Sequence, residues 1–166
     1  MRPIFEPVMQ ALQAGGVRYV IVGGVAVVLQ GYVRATADLD LMVDLVADES
    51  GKAIEALTAL GLRPRAPVDA KDFADPEKRD QWTREKGMKV FSMFDPSNPM
   101  REVDLFVENP MDFEDVWKRA KLMDINGTPA RVASIGDLIE LKRISGRPKD
   151  LADIEELKAL SELGEE

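Results

Sequence analysis

The chain of 166 residues contains no cysteine and no histidine. The first absence rules out disulfides and thiolate metal sites. The second rules out imidazole acid–base chemistry and histidine-ligated zinc. Any catalysis is left to carboxylates, Lys, Arg, hydroxyls or a bound metal. Long apolar runs are missing too. The stretch Val25 to Leu29 with its neighbours falls far short of the ~20 residues that span a bilayer. The opening Met1-Arg-Pro-Ile-Phe-Glu-Pro7 lacks the apolar segment of a signal peptide, so a cytoplasmic location and no membrane partner are expected. Acidic residues outnumber basic ones, 30 to 22, and the net charge is −8. Proteins that grip long duplex nucleic acid through phosphates are usually basic, so this balance argues against that class and leaves only local contacts open.

What is present reads as a folded chain. Hydrophobic residues make up 45% of it, enough for a packed core. The patterning predicts a helix over 4–14 and a buried strand over Val17–Val22, then a short helix over Gly24–Gln30. Asp38–Asp44 alternates as a strand, with Asp38, Asp40, Met42 and Asp44 on one side and Leu39, Leu41 and Val43 on the other. A helix is predicted over Asp48–Leu60, a turn or loop over Arg63–Pro67, and a charged, partly helical stretch over 75–87. Met88–Phe94 and Arg101–Val107 read as strands joined by a turn-rich segment. Phe113–Lys118 reads as a short helix. Asn126-Gly127 between Lys121–Ile125 and Thr128–Val132 signals a hairpin. Ser134-Ile-Gly-Asp137 resembles a capping box and opens a helix ending near Gly146. Pro148 then starts a last helix, with Leu151, Ile154, Leu157 and Leu160 along one side. The expected fold class is α/β (α+β). It has a mixed-sheet core over residues 1–132 and a C-terminal two-helix segment over 133–166.

Four features carry chemistry. Asp38 and Asp40 share a strand face about 7 Å apart at Cα, so their carboxylates can converge on one hard cation such as Mg²⁺. A solvated acidic edge is the plain alternative. Gly23-Gly24 lets backbone N–H groups and a helix N-terminus approach a phosphate; the alternative is a tight strand-to-helix turn. Asp104 is a charge in an apolar strand and needs a partner. It is the candidate third metal ligand and general base, unless it serves only an ion pair. Lys142, Arg147 and Lys149 gather positive charge around a helix break, where they could hold a triphosphate. The alternative there is a pair of solvated helices with an i,i+4 pair of Lys149 and Asp153. Arg34 and Thr36 are weaker phosphate-side candidates.

Taken together, Val22-Gly23-Gly24, Asp38-Leu39-Asp40-Leu41 and Asp104 resemble the nucleotidyltransferase superfamily typified by DNA polymerase beta. Within it, three segments are similar to small bacterial nucleotidyltransferases related to the abortive-infection toxins. These are Gly23-Gly-Val-Ala26, Arg34-Ala-Thr-Ala-Asp-Leu-Asp40 and Gly146-Arg-Pro-Lys-Asp-Leu-Ala-Asp153. The resemblance implies Mg²⁺ or Mn²⁺ on Asp38, Asp40 and Asp104, and an NTP, ATP first, with its phosphates at Gly23-Gly24. It further implies transfer of a nucleoside monophosphate to an acceptor hydroxyl, and points to Lys149, Asp150 and Asp153 in the C-terminal segment. The implied acceptor is tRNA or protein if the chain is a toxin, with a cognate antitoxin as partner. A drug nucleotidyltransferase of the aminoglycoside or lincosamide type, with a small-molecule acceptor, is the alternative. A non-catalytic nucleotide-binding module on the same fold is the third. One departure stands out. The serine that usually follows the first glycine is Gly24 here, so backbone N–H groups are expected to replace a hydroxyl contact to phosphate.

Overall fold

The computed structural model describes residues 3–164. One mixed sheet organises it, with strands β1 (Tyr19–Val22), β2 (Leu39–Val43), β3 (Arg63–Pro64), β4 (Val90–Asp95), β5 (Asn98–Phe106), β6 (Lys121–Ile125) and β7 (Thr128–Val132). In space the order is β3-β4-β5-β2-β1-β7-β6. β1 runs antiparallel to β2, while β2 pairs parallel with β5 and β1 pairs parallel with β7. The helices are α1 (Glu6–Ala14), α2 (Gly23–Gln30), α3 (Ala47–Ala59), α4 (Pro76–Lys86), α5 (Phe113–Arg119), α6 (Ile135–Ser145) and α7 (Pro148–Gly164).

All four residues of β1 are buried, so both faces of this central strand are covered. β2 is similar except at Asp40: Leu39, Leu41, Met42 and Val43 are fully buried. Burial on both sides replaces the half-solvated alternation that the sequence pattern suggests. α1 packs on α3, and α2 packs on α6 and α7. Phe91 on β4 sits between Phe73 and Trp82, each with ring centroids 5.3 Å away. Those rings anchor the outer strands that position Asp104.

Several boundaries differ from the sequence reading. Asp38 precedes β2 rather than starting it. Arg63-Pro64, expected in a turn, forms a short edge strand against Phe94 and Met93. An edge position suits Pro64 because proline has no N–H to give. Residues 76–86 are fully helical, and the Asp75 side chain accepts from the Glu77 amide at 2.9 Å. The Ser134 hydroxyl accepts from the Asp137 amide at 3.1 Å, but Asp137 turns its own carboxylate to Arg119 instead of closing a capping box. Leu151 is 65% exposed. The inward side of α7 carries Asp150, Asp153, Ile154 and Leu157. The helix is rotated because its two aspartates have cations to meet inside. Residues 1, 2, 165 and 166, within the spans 1–132 and 133–166, lie outside the described residues.

Candidate active site

The register of the sheet builds the site. β1 places Val22 opposite Asp40, and β5 places Asp104 beside Asp40 from the other side. A parallel pair keeps the same residue offset along both strands. Asp38 therefore falls level with Glu102, one step further out. Glu102 and Asp104 each lie close enough to raise the pKa of Asp38, and Asp104 and Asp38 that of Asp40. Four carboxyl groups thus occupy two neighbouring levels of one sheet.

Crowding of like charge marks these groups. Burial, then Asp104 and Glu102, push Asp38 up to about 6. Burial, then Asp104 and Asp38, push Asp40 up to about 7, against the opposing pull of Lys142. Asp104 is also raised, chiefly by burial, although Ser92 donates to its Oδ1 at 2.6 Å. Like charges in a low-dielectric place hold protons unless a cation relieves them. Their all-oxygen donor set suits Mg²⁺ or Mn²⁺. Among the described residues, no three Asp or Glu side chains stand arranged as a finished ion cage.

The glycine turn lies directly against this cluster. Gly23 has φ +67°, and a Cβ there would fall 2.0 Å from Asp40 Oδ2. Only glycine permits both the left-handed backbone and the approach. Gly24 follows in the first turn of α2, where Val22 provides no side-chain cap. A Cβ on Gly24 would lie 2.4 Å from Thr36 Oγ1 and 3.3 Å from Arg34 Nη1. Uncapped amides at a helix start, beside a hydroxyl and a guanidinium, form a setting for an anion.

The C-terminal cations are held differently. Lys142 Nζ contacts Asp153 at 2.8 Å and Asp150 at 3.3 Å. Arg34 grips Asp153 in a two-pronged pair at 2.9 and 2.7 Å. Arg147 donates its amide and its guanidinium to Asp150. Asp150 is pushed up by burial, but Arg147, Ser145 and Lys142 outweigh this and leave it at about 2. Burial likewise opposes Lys142 and Arg34 at Asp153, which ends lowered. Lys149 is exposed in the first turn of α7. The i,i+4 pair of Lys149 and Asp153 does not form, because Asp153 faces inward to Arg34 and Lys142.

The fold therefore brings Gly23, Gly24, Arg34, Thr36, Asp38, Asp40 and Asp104 together. Lys142 is near enough to Asp40 to be felt by it. Arg147 is tied to Asp150, and Lys149 joins neither group. Three further residues emerge from the structure. Glu102 repeats the strand spacing of Asp38 and Asp40 relative to Asp104, a signal readable in the sequence. Arg65 pairs with Glu102 and stacks over Phe94, 4.5 Å from the ring centroid. Ser92 orients Asp104 and has no sequence signature of its own.

Among solved structures, this chain is similar to a lincosamide antibiotic adenylyltransferase, LnuA, in its lincomycin-bound form. The two share 16% identity with TM-score 0.63, and the match covers 96% of this chain and 98% of that one. It is also similar to ANT(2")-Ia in complex with adenylyl-2"-tobramycin, at 14% identity and TM-score 0.53, covering 95% and 92%. An antigenic nucleotidyltransferase-like protein from Paracoccidioides brasiliensis matches at 17% identity and TM-score 0.56, covering 94% and 72%. These likenesses establish the fold. Among curated proteins, no sequence matches the chain. The model of a family described as nucleotidyltransferase of unknown function (DUF6036) matches residues 3–164. The chain belongs to that nucleotidyltransferase family.

Proposed function

We propose that this enzyme moves a nucleoside monophosphate from an NTP, ATP first among them, to the hydroxyl of a small-molecule acceptor. The observation that carries the reading is the contact between Gly23 and Asp40, where no Cβ would fit. It puts the glycine turn, our candidate for holding phosphate, directly against Asp40, our candidate for holding a cation, and phosphoryl transfer needs both functions side by side.

Asp38, Asp40 and Asp104 would hold Mg²⁺ or Mn²⁺. Such a cation supplies Lewis acidity and charge neutralisation at phosphate oxygens. The amides of the α2 first turn bind phosphate oxygens and orient the chain of phosphates. The acceptor oxygen forms a bond to the α-phosphorus. The bond from that phosphorus to the oxygen bridging the β-phosphate breaks, and pyrophosphate leaves with the electron pair. Asp104, aligned by Ser92, takes the acceptor proton. Lys142 sits on the Asp40 side, where it offsets part of the negative charge.

A small acceptor is favoured by size. The likeness to LnuA spans nearly the whole of both chains. A second reading, a toxin acting on tRNA or protein with a cognate antitoxin, is favoured by the bond between Arg34 and Asp153. That bond joins two toxin-like segments far apart in sequence.

The test is incubation with Mg²⁺ and each NTP labelled at the α-phosphate. Lincosamides, aminoglycosides, tRNA and a protein extract serve as separate acceptors, with Asp40→Ala run in parallel. Label on a drug, absent in the variant, supports the first reading. Label on tRNA or protein moves the conclusion to the second. Tight NTP binding with no transfer to any acceptor identifies a binding module.

A further inference from the structure

The space in front of Gly24 is already taken. A side chain there would meet Thr36 Oγ1 at 2.4 Å and Thr36 Cβ at 3.1 Å from its first carbon. Thr36 therefore lies over the N-terminal turn of α2, where a residue 24 side chain would otherwise stand. Arg34 Nη1, 3.3 Å from the same point, gives one hydrogen to the Ala35 carbonyl at 2.9 Å. Its Nε hydrogen and one of its two Nη2 hydrogens go to Asp153. The second hydrogen of Nη1 remains, and the Thr36 hydroxyl carries one more donor. Two side-chain donors thus stand beside helix amides that Val22 does not cap. Donors without matching acceptors, gathered at a helix start, are arranged for an anion.

We propose that the Thr36 hydroxyl donates to a β- or γ-phosphate oxygen of the bound NTP, and that position 24 is glycine because Thr36 fills its side-chain space. This deepens the nucleotidyltransferase reading and rests on it. The hydroxyl that the sequence places nowhere in the glycine turn arrives from the loop before β2. On this reading the Thr36 hydroxyl joins the backbone N–H groups in holding phosphate. The bond between Arg34 and Asp153 anchors that loop to α7, so the C-terminal helix acts as a positioning element for the phosphate ligand.

The experiment measures binding of Mg²⁺ with ATP, GTP, CTP and UTP to the full chain, then of the tightest NTP and its monophosphate to variants. Melting temperatures are followed throughout. Thr36→Val keeps the bulk and removes the hydroxyl. It is expected to weaken NTP binding about tenfold and leave monophosphate binding unchanged, as for loss of a charge-assisted hydrogen bond. Thr36→Ser is expected to stay within about twofold of wild type on the same principle. Gly24→Ser alone should lose at least about tenfold through collision with Thr36, and Gly24→Ser with Thr36→Gly should recover most of it. The swap reads the same contact even where a single variant folds poorly. NTP affinity unchanged in Thr36→Val overturns the proposal, as does an equal loss for monophosphate, or a double variant as weak as Gly24→Ser. Failure of the wild type to bind any Mg²⁺–NTP overturns the nucleotidyltransferase reading itself, and this proposal with it.

Discussion

Two pairs of aspartates in this molecule have opposite surroundings. Asp38 and Asp40 alternate at and beside a strand and face other carboxyls, Glu102 and Asp104. Asp150 and Asp153 lie one helical turn apart and face Lys142, Arg34 and Arg147. The first pair is raised to about 6 and about 7. Of the second, Asp150 sits at about 2 and Asp153 is lowered. Burial acts upward on all four, so it does not separate them. The partners do. A buried carboxylate whose partners are cations within the chain is complete and serves structure. One whose partners are other carboxylates lacks that compensation, and on the proposed reading an external cation would supply it.

The largest expected effect comes from removing a charge on the incomplete side. Asp40→Asn should lower nucleotidyl transfer by about a thousandfold or more, because the group that would hold the cation loses its charge. The same variant should be more stable than wild type without metal at pH 8, by about 2 kcal/mol, since a buried charge among like charges is gone. Activity assays and chemical denaturation in chelator read both. Equal or lower stability of Asp40→Asn would mean that the cluster is balanced internally and the contrast is false.

On the complete side the sign reverses. Asp153→Ala leaves Lys142, only 9% exposed in its side chain, short of one partner and frees Arg34. Stripping one member from a buried ionic group costs about 3 kcal/mol. Denaturant midpoints should fall accordingly. A neutral outcome would reassign Asp153 from a structural pin to a residue free to act on substrate.

The two regions should also answer pH in opposite directions. Asp38 and Asp40 have folded values above the ordinary aspartate value of 3.8. Between about pH 4 and about pH 7 the folded chain therefore binds more protons than the unfolded chain, and metal-free stability falls as pH rises through that window. Asp150, held at about 2, contributes stability that is present above pH 3.8 and lost as pH falls toward 2. Melting in chelator across this range should show a maximum near pH 4. Saturating Mg²⁺ should flatten the loss between pH 5 and pH 7, because bound cation replaces bound proton. A metal-free profile that is flat there would remove the distinction between the two pairs.

How far this contrast was legible in the sequence depends on the distance over which each partner is set. Gly23-Gly24, Asp38, Asp40 and Asp104 stand out by local spacing, and the family match agrees with the superfamily that they resemble. The strands, the Asn126-Gly127 hairpin and the mixed sheet follow from periodicity and turn residues. The roles of Lys142 and Arg147 are less local. As a sequence, a basic segment at a helix break suits phosphate as well as it suits aspartate. Only the rotation of α7 brings Asp150 and Asp153 inward and engages those cations. Arg34 reaches Asp153 across most of the chain, a contact with no trace in local pattern. Thr36 over Gly24 is of the same kind: each residue is visible, and their collision is not.

Ser92 is the sharpest case of information lost in the chain and kept in the fold. The tight turn pairs Asp95 with Asn98, and counting back from it would set Ser92 against Arg101. A register shift between Phe94 and Asp95 instead sets Ser92 against Asp104. That irregularity delivers a hydroxyl to a carboxylate at 2.6 Å. Ser92 is neutral, so it orients Asp104 without supplying the missing positive charge, and the region stays incomplete. Ser92→Ala should therefore change stability by less than about 1 kcal/mol while lowering kcat about tenfold, as loss of an outer hydrogen bond to a metal-holding carboxylate does. Ser92→Thr should restore most of the rate, and KM for NTP should hardly move, since the proposed phosphate site lies at Gly23-Gly24 and not at Asp104. A tenfold rise in KM at constant kcat would instead place Asp104 in ground-state binding, and the line between the two aspartate pairs would have to be redrawn through it.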